Sequence, residues 1–126
     1  KISKLLNKFR PMYEINNFSC VAIKYLLENY EIVRKHISEI NNSKNFLKSQ
    51  LTKMGINFID THANFFHIEL GKNIKKKEFF FKKKGILFRK GPGVKGLESY
   101  ARFSLGSKLQ SKKIINIIGK LNERNI

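Results

Sequence analysis

A short alternating segment near the end of the chain constrains its fold more than any other stretch. In residues 99–106 (SYARFSLG), apolar side chains stand at every second position, as Ala101, Phe103 and Leu105. This period is typical of a strand with one face packed on a core, so Arg102 must project from the other face. An arginine fixed on the back of an apolar strand is a permanently charged donor fork that can bind a carboxylate or a phosphate.

Hydrophobic periodicity predicts the order of the remaining elements. Residues 1–16 are expected to form an irregular lead-in. Asn16 or Asn17 would then cap one long helix, which Asn29 interrupts and Gly55 ends. After it we expect strands at 56–60 and 64–70, a helix at 75–84, strands at 86–89 and 100–105, and a last helix that begins at Gly106 or Ser107.

This order predicts an α+β domain. Short connections within each strand pair favour antiparallel neighbours, so the four strands should form a small, mainly antiparallel sheet. Helices packed on one face of the sheet would bury the apolar side chains. The other face, which carries Arg102, would then be free to contact a ligand or another part of a protein. The residues expected in the core are Phe66, Ile68, Phe103, Leu105, Val33, Leu47, Ile117 and Leu121, and Leu109 and Ile114 share the apolar stripe of the last helix.

The size and the cysteine content fit a single cytoplasmic domain. The 126 residues are 41% hydrophobic, which is enough for a modest core. Cys20 is the single cysteine, so it cannot form an internal disulfide, and its apolar neighbours predict a buried thiol in a reducing compartment. No apolar run approaches the length of a membrane span, and the basic amino end lacks the apolar core of a signal peptide.

The net charge of +17 keeps a second functional class open. A charge of this size attracts polyanions whatever the fold. However, most of the cations are Lys, whereas specific phosphate and base contacts favour Arg, and the joint abundance of Asn, Ile, Lys and Phe is what an AT-rich genome would favour. The alternative interpretation is a basic α+β module that binds RNA or DNA, which would need exposed aromatic side chains on the sheet beside basic residues.

Four short motifs occur in order along the chain. They are residues 10–16 (RPMYEIN), 63–65 (ANF), 85–89 (GILFR) and 102–106 (RFSLG). In this order, with a long helix between the first and the second, they resemble the end of a fold-type I pyridoxal-phosphate aminotransferase of class I/II. The resemblance is closest to the histidinol-phosphate aminotransferase family. It covers almost the whole chain, although Glu14 stands where that family usually has Asn.

The resemblance implies that the chain is part of a larger transferase. Residues 1–16 would be a crossing segment from a cofactor domain that lies before Lys1, and residues 17–126 would be the carboxy-terminal small domain. The full enzyme would be a homodimer that moves an amino group between an amine or amino-acid donor and a keto acceptor. Its pyridoxal phosphate would be bound mainly by the large domain, and the small domain would close over it.

Two arginines acquire roles from the same resemblance. Arg102 matches the arginine that holds the acidic group of the substrate, which is a carboxylate in most members and a phosphate in the histidinol-phosphate enzyme. Arg89 matches a recurrent arginine near the domain interface and is a second candidate for substrate binding. The substrate would therefore be an amino acid or an amine that carries an acidic group.

The chain offers no residue that is expected to hold a cofactor or a metal. Aminotransferases of this kind place their Schiff-base lysine after Ser and before a Gly-rich, Arg-containing stretch. Lys44 and Lys108 follow a serine but lack that stretch, so neither is expected to bind the cofactor, and the isolated chain should be inactive. His62 and His67 are five residues apart without a Cys or carboxylate cluster, so each is interpreted as a solvated or satisfied histidine.

Overall fold

A computed structural model describes residues 2–9, 15–91 and 93–123 of the chain. The chain forms two compact units, Lys1–His36 and Ile37–Ile126. The elements are, in order, α1 (Ile2–Phe9), α2 (Asn17–Glu28), α3 (Tyr30–Lys53), β1 (Phe58–Ile59), β2 (Phe65–Glu69), α4 (Ile74–Lys83), β3 (Arg89–Lys90), β4 (Tyr100–Ser104) and α5 (Lys108–Glu123). The predicted α+β class is confirmed. Within the described ranges, no helix is both long and apolar enough to cross a membrane.

The first unit begins with a helix where the sequence predicted an irregular lead-in. That prediction is wrong for residues 2–9, because their apolar side chains recur at helical intervals and form α1. Residues 10–14, which carry most of the first motif, lie outside the described residues. The start of α2 is as predicted, since the side chain of Asn16 accepts a hydrogen bond of 2.8 Å from the backbone N–H of Ser19.

The long helical region is interrupted at Asn29, as predicted. Both the backbone N–H and the side-chain amide of Asn29 donate to the carbonyl of Tyr25, at 3.0 and 2.9 Å. These bonds close α2, and α3 then starts at Tyr30. The far end of α3 is closed by Gly55, whose φ of +65° is the left-handed conformation that glycine adopts without strain.

Two burial predictions for the helices before the sheet are not met. Cys20 is exposed, so the prediction of a buried thiol is wrong. Its apolar neighbours in α2 are themselves exposed, for example Phe18 at 83% and Val21 at 68%. Val33 is half-buried, not buried. Apolar composition predicted that these helices have an apolar surface, but it could not predict what covers that surface.

The second unit contains a four-stranded sheet in the order β1–β2–β4–β3, and all three neighbouring pairs are antiparallel. This confirms the predicted sheet. The strand predicted at 86–89 begins only at Arg89, because the backbone N–H of Ile86 closes the end of α4 by donating to the carbonyl of Phe81 at 3.0 Å. Ile86 and Phe88 still pack against the core from this connection.

Helices α3, α4 and α5 contribute side chains to the core on one face of the sheet. Seven of the eight predicted core residues are buried, Val33 being the exception, whereas Leu109 is 64% exposed in the first turn of α5. The core consists of Leu47, Leu51, Phe66, Ile68, Leu70, Phe81, Ala101, Phe103, Leu105, Ile114, Ile117, Ile118 and Leu121. The alternation of buried and half-buried residues along β2 and β4 leaves the opposite face of the sheet open.

Candidate functional site

Three basic side chains form a row across the open face of the sheet. His67 on β2 is the cross-strand partner of Arg102 on β4, and Arg102 is also the partner of Arg89 on β3. Directly opposed residues of antiparallel strands project to the same face, so the three side chains are neighbours. We call His67, Arg89 and Arg102 the basic row. The structure thus brings together the two arginines predicted from the sequence.

The core behind β4 fixes the position of Arg102. Its neighbours along the strand, Ala101 and Phe103, are 0% and 1% exposed. The ring of Phe103 packs between Phe81 and Phe88, with centroid distances of 5.2 and 5.1 Å. This aromatic cluster anchors β4 from the buried side, since such rings bury large apolar areas and pack in defined geometries. Arg102 therefore faces away from the core, as the alternation predicted.

Phe65 supports two members of the basic row. The guanidinium carbon of Arg102 lies 5.0 Å from the centroid of the Phe65 ring, which is a cation–π contact. The Phe65 ring also meets the ring of His67 edge to face, at a centroid distance of 5.4 Å. Contact with a flat ring restricts the rotation of the guanidinium plane and leaves its N–H edges available to an anion.

The basic row lines a cavity of about 460 Å³ together with Gly91 and Gly93. Both glycines have positive φ, +38° and +72°, which glycine adopts without strain, and neither of them adds a side chain to the cavity wall. The backbone N–H of Gly91 donates to the carbonyl of Tyr100 at 2.8 Å, which ties Gly91 to the start of β4. At the described positions, the cavity wall therefore combines the side chains of the basic row with glycine backbone.

No carboxylate of the described residues lines this cavity. Three acidic side chains nearby in the sequence have other partners. Glu78 pairs with Lys90 at 2.5 Å, Glu69 accepts from Asn57 at 2.8 Å, and Glu98 accepts from the backbone N–H of Gly96 at 3.0 Å. The hydrogen bond from Gly96 lowers the pKa of Glu98, which keeps that carboxylate charged. Arg89 and Arg102 are thus left without a carboxylate partner in the described part of the chain.

His67 is the member of the row that the sequence did not predict. Its Nδ1 atom is buried and has no hydrogen-bond partner among the described residues, whereas the residue as a whole is half-buried. Alternation with the buried Phe66 and Ile68 would have placed it on the open face. Its pairing with Arg102 depends on which strands are neighbours, and the sequence does not show this.

Three of the four sequence motifs meet at the sheet. Residues 63–65 enter β2, where the carbonyl of Asn64 accepts from the backbone N–H of Leu105 at 2.7 Å. Residues 85–89 lead into β3, and residues 102–106 run from β4 towards α5. The spacing between these motifs therefore reflects the distances along the chain that bring Arg89 and Arg102 together.

The glycine of the last motif lies beside the cap of α5. The backbone N–H of Ser107 donates to Oε1 of Gln110 at 2.9 Å, and the backbone N–H of Gln110 donates back to Oγ of Ser107 at 3.4 Å, which is a capping box. A Cβ atom at Gly106 would lie 1.8 Å from Oε1 of Gln110 and would displace it. Gly106 thus leaves room for the side chain of Gln110 at this cap.

Lys44 and Lys108, the two lysines considered from the sequence, do not fit pyridoxal phosphate. Nζ of Lys44 lies 2.9 Å from Asp60 and donates to the carbonyl of Thr61, so its amine is already engaged. Lys108 lies over the ring of Phe46, with Nζ 5.4 Å from the centroid, in the first turn of α5. The described residues also contain no group of three or more His, Cys, Asp or Glu side chains that could hold a metal ion.

Comparisons with known proteins confirm the resemblance seen in the motifs. The chain is 28% identical over 118 residues to histidinol-phosphate aminotransferase 2 of Carboxydothermus hydrogenoformans, an alignment that covers 91% of this chain and 32% of that protein. It is 29% identical over 125 residues to the histidinol-phosphate aminotransferase of Christiangramia forsetii, with 96% and 35% covered. No family model matches the chain. The chain spans about a third of the length of the curated relatives it matches.

Solved structures show the same fold. A protein of Erwinia carotovora atroseptica, provisionally assigned as a histidinol-phosphate aminotransferase, superposes with a TM-score of 0.77 at 15% identity, over 97% of this chain and 35% of that chain. A provisionally assigned aminotransferase of Burkholderia pseudomallei superposes with a TM-score of 0.73 at 17% identity, over 93% and 36%. The arrangement of helices and sheet is therefore one that occurs within larger proteins.

Proposed function

We propose, from this similarity to histidinol-phosphate aminotransferases, that the chain is the carboxy-terminal small domain of a pyridoxal-phosphate-dependent aminotransferase. Residues 17–126 would form that domain, and residues 1–16 would connect it to the rest of the enzyme. The complete enzyme would transfer an amino group between an amine or amino-acid donor and a keto acceptor. We further propose that it acts in the cytoplasm as a homodimer.

The role of this chain in the reaction would be to bind the acidic group of the substrate. The observation that carries this proposal is the pairing of Arg89 with Arg102 beside a cavity that no described carboxylate lines. Two guanidinium groups held together without a counter-ion repel each other, and an anion between them removes that repulsion while accepting charge-assisted hydrogen bonds. Such a contact would orient the substrate for the reaction and would help to keep the cleft closed.

Pyridoxal phosphate would be held by another part of the longer protein. Lys44 and Lys108 do not fit it, because Lys44 is engaged by Asp60 and Lys108 stands at the start of a helix. When it is bound, the cofactor supplies the electron sink for amino-group transfer. The contribution of this chain would be to position the substrate and to exclude water from the closed site.

The first unit supports a role within a larger assembly. Its helices expose large apolar side chains, including Phe9 at 84%, Phe18 at 83% and Ile2 at 73%. Exposed apolar surfaces of this kind mark sites of contact with other protein surfaces. We propose that the large domain and the second subunit cover them in the complete enzyme.

The alternative function, binding of RNA or DNA, is less well supported by the open face of the sheet. A nucleic-acid platform uses exposed aromatic rings on which bases stack. Phe65 is half-buried, and the guanidinium of Arg102 lies over its ring at 5.0 Å. That ring face is therefore already occupied by a cation.

The test of the proposed function is replacement of Arg102 in the complete enzyme. Arg102→Ala should lower kcat/KM by about ten- to a hundredfold, because a charge-assisted contact of roughly 1.5 to 3 kcal/mol is lost and the substrate is misplaced. Arg102→Lys should restore only part of the activity, since an ammonium group lacks the donor fork. Cofactor absorbance should stay near normal, because the cofactor would lie on the other domain.

A matched control removes a charge elsewhere. Lys76 is exposed on α4, and Lys76→Ala should leave kcat/KM unchanged while it alters the net charge by the same amount. Thermal melts of each variant show whether it is folded. Unchanged kcat/KM in a well-folded Arg102→Ala enzyme would remove Arg102 from the substrate site.

A further inference from the structure

We propose that His67 is a specificity-determining residue of the anion site, and this inference rests on the proposed function of Arg102 and Arg89. His67 would donate a third hydrogen bond, from Nε2, to the acidic group that the two arginines hold. A group with three terminal oxygens, such as a phosphate, could use all three donors. A carboxylate could be satisfied by the two arginines alone. His67 would therefore favour a phosphate-bearing substrate over one that ends in a carboxylate.

The placement of His67 supports this role. It is the direct cross-strand partner of Arg102, and the same cavity is lined by both of these residues and by Arg89. The three side chains come from three different strands, β2, β4 and β3, which are adjacent in the sheet. A ligand in this cavity would therefore contact donor side chains from three adjacent strands.

The ring of His67 is oriented by its surroundings. Phe65 contacts it edge to face at 5.4 Å, and Ile59 on β1 is its cross-strand partner on the other side. Nδ1 is the ring nitrogen that is buried, which leaves Nε2 as the ring nitrogen available to the cavity. An oriented ring can act as a selective donor, because it loses little rotational freedom when a ligand binds.

The chemistry of the two nitrogens favours donation from Nε2. A proton on Nδ1 would be a buried donor without an acceptor, which is a costly arrangement in a protein interior. An N–H group at Nε2 can donate a hydrogen bond to a ligand in the cavity. The arginines would thus attract the anion, and His67 would discriminate between a phosphate and a carboxylate.

The test compares two anions on the 126-residue chain. Inorganic phosphate and acetate are titrated in about 150 mM NaCl, which screens loose binding to the many surface lysines, and the amide NMR signals of Arg102 and Gly91 report occupancy. His67→Phe keeps a flat ring against Phe65 but removes both nitrogens. It should raise the Kd for phosphate about tenfold and change the Kd for acetate less than twofold.

Two further variants separate a donor from a packing residue. His67→Gln retains an N–H donor at a similar reach and should recover most of the phosphate affinity. His62 is exposed in the connection between β1 and β2 and does not line the cavity, so His62→Phe should change neither Kd. The amide spectrum of each variant shows whether the sheet remains folded.

The outcomes distinguish this inference from the proposed function beneath it. If Arg102→Ala weakens the binding of both anions while His67→Phe leaves phosphate binding unchanged, or weakens both anions equally, His67 has no discriminating role and the arginine site stands. If Arg102→Ala leaves phosphate binding unchanged, the basic row is not an anion site and both proposals fail. A selective loss of phosphate binding in His67→Phe, with rescue by His67→Gln, supports the assignment.

Discussion

Arg89 and Arg102 are directly opposed partners on two neighbouring antiparallel strands, with no carboxylate of the described residues lining the cavity beside them. Like charges in directly opposed positions destabilise a sheet. Phe81 and Phe88 pack against Phe103 next to Arg102, so the buried aromatic side of β4 holds the charged side in place. The hydrophobic core thus holds the two arginines in opposed positions, and unfavourable arrangements of this kind cluster at functional sites.

Removal of one charge of this pair should stabilise the protein. Arg89→Gln is expected to raise the midpoint of thermal unfolding by about 1 to 5 °C at low ionic strength, because a like-charge pair costs roughly 0.2 to 1 kcal/mol. The gain should shrink when salt screens the repulsion. Phosphate should stabilise the original chain more than the variant, since the variant has lost part of the anion site. Calorimetry with and without salt and phosphate measures all three effects.

The neighbouring Lys90 provides a control for the general charge. It lies on the same strand, but its Nζ is 2.5 Å from Glu78, so Lys90→Gln removes a paired charge. That variant should show no rise in the melting temperature. An equal rise in both variants would show that the net charge of +17, and not the pairing of the two arginines, is responsible.

The sequence predicted two of the three members of the basic row, Arg89 and Arg102. The face of Arg102 followed from the buried positions of Ala101 and Phe103, because the side-chain period of a strand is local. The start of β3 could not be predicted in this way. It depends on the hydrogen bond from the backbone N–H of Ile86 to the carbonyl of Phe81, which closes the end of α4. The neighbour of His67 could not be predicted either, because β2 and β4 are separated along the chain by α4 and β3 and become neighbours only in the folded sheet.

A buried hydrogen bond between two helices gives a second prediction. Oγ of Ser43 on α3 lies 2.8 Å from Oγ of Ser111 on α5, and the two residues are 0% and 1% exposed. Ser43→Ala should lower the free energy of unfolding by about 1 to 3 kcal/mol, because the remaining hydroxyl is left buried without this partner. Replacing both serines should recover part of that loss. Urea unfolding of the single and double variants gives the coupling energy.

Ser49 serves as the control for helix propensity. It is exposed on the same helix, so Ser49→Ala should change the free energy of unfolding little or raise it slightly. A double variant as unstable as the sum of the two single variants would show that the two hydroxyls do not depend on each other.

The ion pairs of Asp60 predict how the free energy of unfolding depends on pH. Nζ of Lys44 lies 2.9 Å from its carboxylate and that of Lys48 lies 3.3 Å away, and the hydrogen bond from Lys44 is the main reason why the pKa of Asp60 is below its ordinary value of 3.8. A carboxyl with a depressed pKa in the folded state contributes stability above its unfolded pKa and loses it as the pH falls through the folded pKa. Asp60→Asn should therefore be less stable than the original chain at pH 7.

The difference between the two proteins should disappear in acid. It should stay constant from about pH 7 to pH 5 and shrink below about pH 4, where the unfolded carboxyl becomes protonated. Because Lys44 dominates the shift, Lys44→Met should reduce the effect more than Lys48→Met. Denaturant unfolding at several pH values tests this. A difference that is the same at pH 3 and pH 7 would mean that Asp60 acts through packing and not through its charge.

The last prediction concerns the cofactor. Because the amine of Lys44 is engaged by Asp60 and Nζ of Lys108 lies over the ring of Phe46, the isolated chain should not hold pyridoxal phosphate at one lysine. Reduction with borohydride after mixing should label many surface lysines incompletely, and Lys44 should be labelled less than the exposed Lys75 and Lys76. Peptide mapping by mass spectrometry measures the label at each site. A complete aminotransferase treated in the same way is the control and should carry one stoichiometric label. A single dominant lysine in the 126-residue chain would mean that it contains a cofactor pocket of its own, and the proposal that another part of the enzyme holds the cofactor would then fail.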